Sequence, residues 1–345
     1  MANQFEITRF ESPIEDEALA KEIRDLWIKV PEQIGQASDL SSYIDTLTDR
    51  DRPEDRKLLY VARVDGRLVG TSMLWVSRRD PELAEFGMPG TDPEFRRRGI
   101  GRVLFDRPAT EFRDAGGEAI VMGGGNQEAD RIYARVGYSK LVGSNALIQA
   151  MSGESPEAYF TDYFRDLGPA TIHPGEAADR TPAVPLVHTP HDWQVMDCNA
   201  RIFSTRYFVR RSFAGQCGAY VAMLEESTST FFAARAGERQ KVVGLSSAKF
   251  VEEKLCSVDG FTHPYYLDDW TDLISAAMDW GRQRDATGFV VAVSQEDEQK
   301  QELFKALGFE VTGRGEDFFL DGVWLRDLPD GRPVAALQMT REATQ

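Results

Sequence analysis

The chain has 345 residues, long for a single hydrophobic core, so two domains are expected. Hydrophobic residues make up 42%, as in soluble globular proteins. No apolar run approaches the ~20 residues that cross a bilayer, and no charged-then-apolar leader opens the chain, so a cytoplasmic protein without a membrane partner is expected. The formal charge of −16 disfavours a nucleic-acid partner, and the acidic surface suits solubility and is compatible with a cationic amine substrate. Cys198, Cys217 and Cys256 lie far apart with no Cys-x-x-Cys, and the histidines stand singly or, like His188 and His191, in a Pro-rich stretch. Neither a disulfide framework nor a metal site is expected.

In chain order, Gln4 to Phe10 alternates like a strand, and Ala18 to Val30 carries Leu19, Ile23, Leu26 and Trp27 at helical spacing. Asp39 to Leu47 reads as a second short helix. Leu58 to Val64 and Arg67 to Val76 flank Asp65-Gly66, a hairpin signature. Leu83 to Thr91 is a further strand, interrupted by Gly87, Pro89 and Gly90. It runs into Asp92-Pro93-Glu94-Phe95-Arg96-Arg97-Arg98-Gly99-Ile100-Gly101, and Arg102 to Ala115 then has helical composition. A basic, glycine-bearing loop that opens a helix can hold an anion. Amides at a helix start lack partners, the helix end carries about half a positive charge, and glycine lets a phosphate approach the backbone. Pro108 is expected to kink or interrupt that helix.

Ala119 to Met122 reads as a buried strand, followed by Gly123-Gly124-Gly125 and a helix through Tyr133. Lys140 to Met151 completes a mixed sheet flanked by helices, giving an α/β fold class. These segments together resemble the GNAT superfamily of acyl-CoA-dependent N-acyltransferases. Arg96, Gly99 and Gly101 meet its loop motif Gln/Arg-x-x-Gly-x-Gly/Ala. Asn126, Ala129 and Tyr133 meet Asn-x-x-Ala-x-x-x-Tyr, and Gly137-Tyr138 meets its terminal Gly-Phe/Tyr pair.

The resemblance implies that acetyl-CoA is the co-substrate and a small amine the acceptor. It places the cofactor on Met88, Gly90, Thr91, Arg96, Arg97, Arg98, Gly99, Ile100, Gly101, Arg102, Asn126, Ala129 and Tyr133. It also implies that the strands at Gly87–Gly90 and Gly123–Gly125 splay to admit the pantetheine arm. Glu85, eleven residues ahead of Arg96, is the candidate general base, with Glu82 and Glu94 as competitors, and Tyr133 resembles the family's general acid. An ordinary strand residue and a packing aromatic are the bland alternatives for the two. The expected activity is acetyl transfer to a small amine, by a monomer or homodimer. A different acyl-CoA, or a CoA-binding regulator with a ligand-sensing second half, remains open.

Residues 152–190 change texture, with Gly168-Pro169, Pro174-Gly175, Pro182, Pro185 and Pro190 in polar sequence, and are expected to be a linker. Beyond it the chain repeats itself. Val243-Gly244-Leu245 answers Val69-Gly70-Thr71, Pro264 answers Pro93, Phe304 answers Tyr133, and Gly308-Phe309 answers Gly137-Tyr138. The loop does not repeat: Leu267, Trp270 and Asp272 stand at the places of Arg96, Gly99 and Gly101, and Asp297 at that of Asn126. The expected organisation is two GNAT-like domains in tandem. Residues 1–151 would be the acyl-CoA-binding catalytic domain, and 191–345 a degenerate copy without the cofactor motif.

Overall fold

The computed structural model describes residues 5–30, 47, 55–123, 127–142, 146–204, 214–315, 319–320, 323–324 and 335–343. The helix expected over Asp39–Leu47 lies outside them apart from Leu47. The chain divides into two compact units, residues 1–139 with 147–156, and 140–146 with 157–345.

In the first unit, β1 (Glu6–Glu11) is followed by α1 (Glu17–Lys29), β2 (Asp55–Val64), β3 (Arg67–Ser77) and β4 (Leu83–Thr91). Then come α2 (Ile100–Asp114), β5 (Ala119–Gly123), α3 (Gln127–Arg135), β6 (Ser139–Lys140) and β7 (Ala146–Ala150). The strands form one sheet in the order β1-β2-β3-β4-β5-β7-β6. Asp65 and Gly66 both take positive φ, 48° and 79°, as a two-residue turn between twisted antiparallel strands requires. The strand expected over Lys140–Met151 is divided into β6 and β7.

Strand alternation sends two sets of side chains to opposite faces. Leu58, Tyr60 and Ala62 of β2 join Leu104, Phe105 and Phe112 of α2 in one core. Leu59 and Val61 join Leu19, Ile23, Leu26 and Trp27 of α1 in the other. The first helix starts where Asp16 Oδ1 accepts the amides of Ala18 and Leu19.

Pro108 sits inside α2 without interrupting it. Proline leaves the carbonyl four residues back, that of Leu104, without its helical donor. The buried Ser72 hydroxyl of β3 donates to that carbonyl at 2.7 Å. A contact from a distant strand thus replaces the missing bond.

The second unit holds α4 (Pro156–Tyr163), β8 (Ala170–Pro174), α5 (Ala183–His188), β9 (Val195–Asp197), β10 (Ile202–Phe203) and α6 (Ala214–Glu225). β11 (Ser229–Ala236), β12 (Lys241–Glu252), β13 (Leu255–Thr262), α7 (Trp270–Arg282), β14 (Gly288–Ser294), α8 (Glu298–Ala306) and β15 (Glu310–Gly315) follow. The short pair β16 (Phe319–Leu320) and β17 (Val323–Trp324) precedes β18 (Ala336–Glu342). The stretch expected as a linker therefore contains structure of its own: β8 pairs with β11 and forms the edge of the second sheet.

That sheet runs β8-β11-β12-β13-β14-β18-β15, matching the first strand for strand. Small devices repeat as well. The amides of Asp92 and His263 bond Val69 O and Val243 O at 2.8 and 2.7 Å. Ser246 donates to Leu273 O as Ser72 does to Leu104 O. Gly137 and Gly308, with φ of 97° and 82°, end the helices that carry Tyr133 and Phe304. The fold is thus α/β, with two mixed seven-stranded sheets, each flanked by helices.

Candidate active site

Past Thr91, the Asp92 carboxylate accepts the Glu94 amide and caps a single turn over Pro93–Phe95. Asp92 is buried and takes Lys29 Nζ and Arg67 at 2.8 Å each. Burial pushes its carboxyl up, but the Lys29 hydrogen bond and the neighbouring cations outweigh that and hold it below the usual aspartate value. Arg96 Nε closes the loop onto Thr91 O at 3.2 Å. Arg97 and Gly99 take positive φ of 63° and 83°, and α2 begins at Ile100 with no side chain capping it.

The uncapped amides, the helix dipole and the exposed Arg97, Arg98 and Arg102 face solvent together. A Cβ on Gly99 would meet nothing within 4 Å, and one on Gly101 only Thr91 Oγ1 at 3.8 Å. The space beside the backbone is open, as an approaching phosphate needs.

β4 and β5 run parallel but pair over three residues only, Leu83↔Ala119, Ala84↔Ile120 and Glu85↔Val121. Beyond Glu85 they part, so described backbone groups on both strands lack the ladder partners that a parallel pair would share. β4 also carries a bulge. Thr71 opposes Gly90 and Met73 opposes Gly87, so Ser72 faces two residues, Met88 and Pro89. Met88 takes φ of 54°, a strained value for a non-glycine residue. Two residues that sequence reading missed secure it. The Thr71 hydroxyl donates to Met88 O at 3.2 Å and accepts the Trp27 indole N–H at 2.9 Å. No local pattern marks this pair, because the contact joins α1, β3 and β4.

Glu85 is buried on β4, at the last paired position before the strands part. Tyr133 of α3 packs its ring at 5.3 Å from Phe105, which stacks at 4.5 Å on Phe86. Burial, and after it the charge of Asp130, raises the Tyr133 pKa, so its hydroxyl stays protonated and able to donate. The structure thus gathers Met88, Gly90 and Thr91 on one strand and Arg96 to Arg102 on the loop and first turn. Ala129 and Tyr133 share α3, and Asn126 lies outside the described residues.

The second unit fills the corresponding place with its own chain. β13 and β14 also pair over three residues only, Leu255↔Gly288 to Ser257↔Val290. Segment 194–199 is held by residues on and next to both strands. Ser294 Oγ donates to Gln194 Oε1 at 2.7 Å, and the Gln194 amide reaches the Asp297 carboxylate at 3.1 Å. Lys300 Nζ donates to Val195 O and Met196 O at 3.0 and 2.9 Å. On the other side the Cys198 amide donates to Asp259 Oδ2 at 2.7 Å and Asn199 Nδ2 to Ser257 O at 3.1 Å. β13 has no bulge at the matching place: its register with β12 runs unbroken from Gly244↔Thr262 to Phe250↔Cys256, and the shift in this pair lies beyond, between Phe250 and Glu252. Trp270 is the first residue of α7, where α2 has Ile100, and its ring is tilted against that of Trp193 with centroids 4.4 Å apart.

Residues 20–138 match the model of the Acetyltransferase (GNAT) family. No curated protein matches the chain. Among solved structures, spermidine N-acetyltransferase from Vibrio cholerae in complex with CoA and spermine is similar at 16% identity. The likeness covers 50% of this chain and 95% of that one, with a TM-score of 0.37. The dodecameric structure of the same enzyme in an intermediate state is similar at 16% identity over 50% and 93%, with a TM-score of 0.36.

Proposed function

We propose that the chain is an acetyl-CoA-dependent N-acetyltransferase acting on the amine of a small molecule, with residues 1–151 as its catalytic domain. The observation that carries this reading is the conjunction in the first unit of an uncapped, arginine-rich helix start with a strand pair that parts at a buried glutamate. The loop from Arg96 to Arg102 takes the pyrophosphate of CoA. The backbone of β4 and β5 beyond their last paired residues takes the amides of the pantetheine arm.

An amine with a free pKa near 10 is almost wholly protonated at pH 7, so it must lose a proton before it attacks. Glu85 accepts that proton, directly or through water, and the nitrogen bonds to the thioester carbonyl carbon. The tetrahedral intermediate collapses with cleavage of the C–S bond. Tyr133 gives its proton to the departing sulfur, leaving the amide and the free thiol of CoA. In this reading residues 191–345 are a degenerate copy whose sheet begins upstream at β8, and the protein works in the cytoplasm.

Calorimetry with CoA should give one site per chain, and two comparable sites would overturn the degenerate-copy reading. Thiol release from acetyl-CoA and larger acyl-CoAs across an amine panel tests the activity itself. On any acceptor so found, Glu85→Gln should lower the rate about a hundredfold at neutral pH, with partial recovery at high pH, where solvent supplies free amine. Wild-type activity in that variant across the pH range would remove Glu85 from the mechanism.

A further inference from the structure

We infer that Trp75 is a recognition residue for a cationic acceptor, forming with Glu85 a site for a protonated amine beside the parted strands. The inference rests on the acyltransferase reading above and adds the class of acceptor that it favours.

Trp75 of β3 lies directly opposite Glu85 of β4, so the two side chains leave the sheet on the same face. This face carries Met73 and α1 rather than α2. The indole leans past Glu85 onto the next residue of that face, Gly87. Its Cζ3 and Cη2 stand 2.6 and 2.9 Å from where a Cβ on Gly87 would be. Only glycine admits the ring there. One end of the indole is thereby fixed against the backbone where β4 leaves β5, while the side chain as a whole stays half-buried.

An indole face attracts a cation through its quadrupole, and more strongly where water is scarce. A carboxylate on the same face adds charge and can receive the proton that the ammonium must lose. A neutral acceptor of the same shape gains neither interaction.

The second unit supplies an internal contrast. Its strand register sets Lys249, Ser257 and Asp259 where the first unit has Trp75, Glu85 and Gly87. All three members of the arrangement are missing from the unit whose cleft is filled by its own chain, although the sheet order is the same. The fold therefore does not require Trp75 against a glycine.

The test uses the full chain loaded with CoA, after a CoA titration has shown that the cofactor binds. Choline and its uncharged isostere 3,3-dimethyl-1-butanol are then titrated separately and followed by NMR line broadening. The wild-type protein should bind choline roughly tenfold more tightly than the alcohol. Trp75→Phe, which keeps an aromatic face, should retain most of that preference, and Trp75→Leu should keep only the smaller part that the Glu85 carboxylate supplies while still binding CoA. Equal binding of the two probes by wild type, or a preference undiminished in Trp75→Leu, overturns the role of Trp75 and leaves the acyltransferase reading standing. Failure of the initial CoA titration overturns both.

Discussion

Gly99→Asp should weaken CoA binding about a thousandfold, while Gly99→Asn costs far less. Both side chains have nearly the same shape, and both tolerate the left-handed backbone that Gly99 adopts at φ of 83°. A Cβ there meets no atom within 4 Å, so neither variant disturbs packing, and the backbone strain of a side chain at this φ falls on both alike. They differ in charge. A carboxylate about 4 Å from a phosphate oxygen is repelled by about 4 kcal/mol at the effective dielectric of a protein surface, which is the thousandfold loss. The charge also opposes the positive end of α2, which has no capping side chain to mask it. Calorimetric titration of CoA into the two variants decides the matter. Equal losses would assign the effect to backbone strain, and wild-type affinity in Gly99→Asp would place the pyrophosphate elsewhere.

The loop was legible because its information is local: two glycines, three consecutive arginines and a helix pattern directly behind them. The hairpin at Asp65-Gly66 and the buried stripe of α1 are local in the same sense. The devices that shape the cleft are not. Residue 88 bulges and turns left-handed because Thr71 and Trp27 hold it, and those residues come from two other elements. The two strand registers, once known, show the bulge. By strand register Glu85 matches Ser257, an offset of 172, while Thr91 matches Thr262, an offset of 171. The change marks one extra residue in the first copy.

The expected disruption at Pro108 was sound as local physics and incomplete as a statement about the fold, because Ser72 supplies the lost hydrogen bond from β3. The edge strand at Ala170–Pro174 escaped notice for a different reason. Five residues of mixed polarity between prolines carry no periodic signal, and only pairing with β11 makes them a strand. The filling of the second cleft was equally hidden. Gln194 to Asn199 has no mark of a ligand-like segment until β13 and β14 diverge around it.

Lys300 shows how firmly that filling is held, and Lys300→Met should be the most destabilising single change in the second unit. The ammonium is fully buried, 2.6 Å from Asp259 Oδ1, and also donates to the carbonyls of Val195 and Met196. Methionine keeps the length of the side chain and removes the charge. Asp259 is then left without its cation, close enough to Asp197 and Asp297 to act on both. Removing one partner of a buried ion pair costs about 3–5 kcal/mol, here with two carbonyls deprived of their donor as well. For a unit of this size that is a fall of about 6–20 °C in its melting temperature.

The pH dependence identifies the cause. Burial already pushes both Asp197 and Asp297 up to about 6, and Lys300 is one of the influences that lower them. Carboxyls raised above their unfolded values stabilise the fold below the unfolded pKa, and that contribution is lost as pH rises through the folded pKa. Lys300→Met raises them further, so its deficit should be small near pH 4 and grow through pH 6 and above. Adding Asp259→Asn should restore part of the loss at neutral pH, because the uncompensated charge is gone. A melting temperature unchanged at pH 7.5, or a deficit that does not vary with pH, would show that Lys300 does not hold the segment in place by its charge.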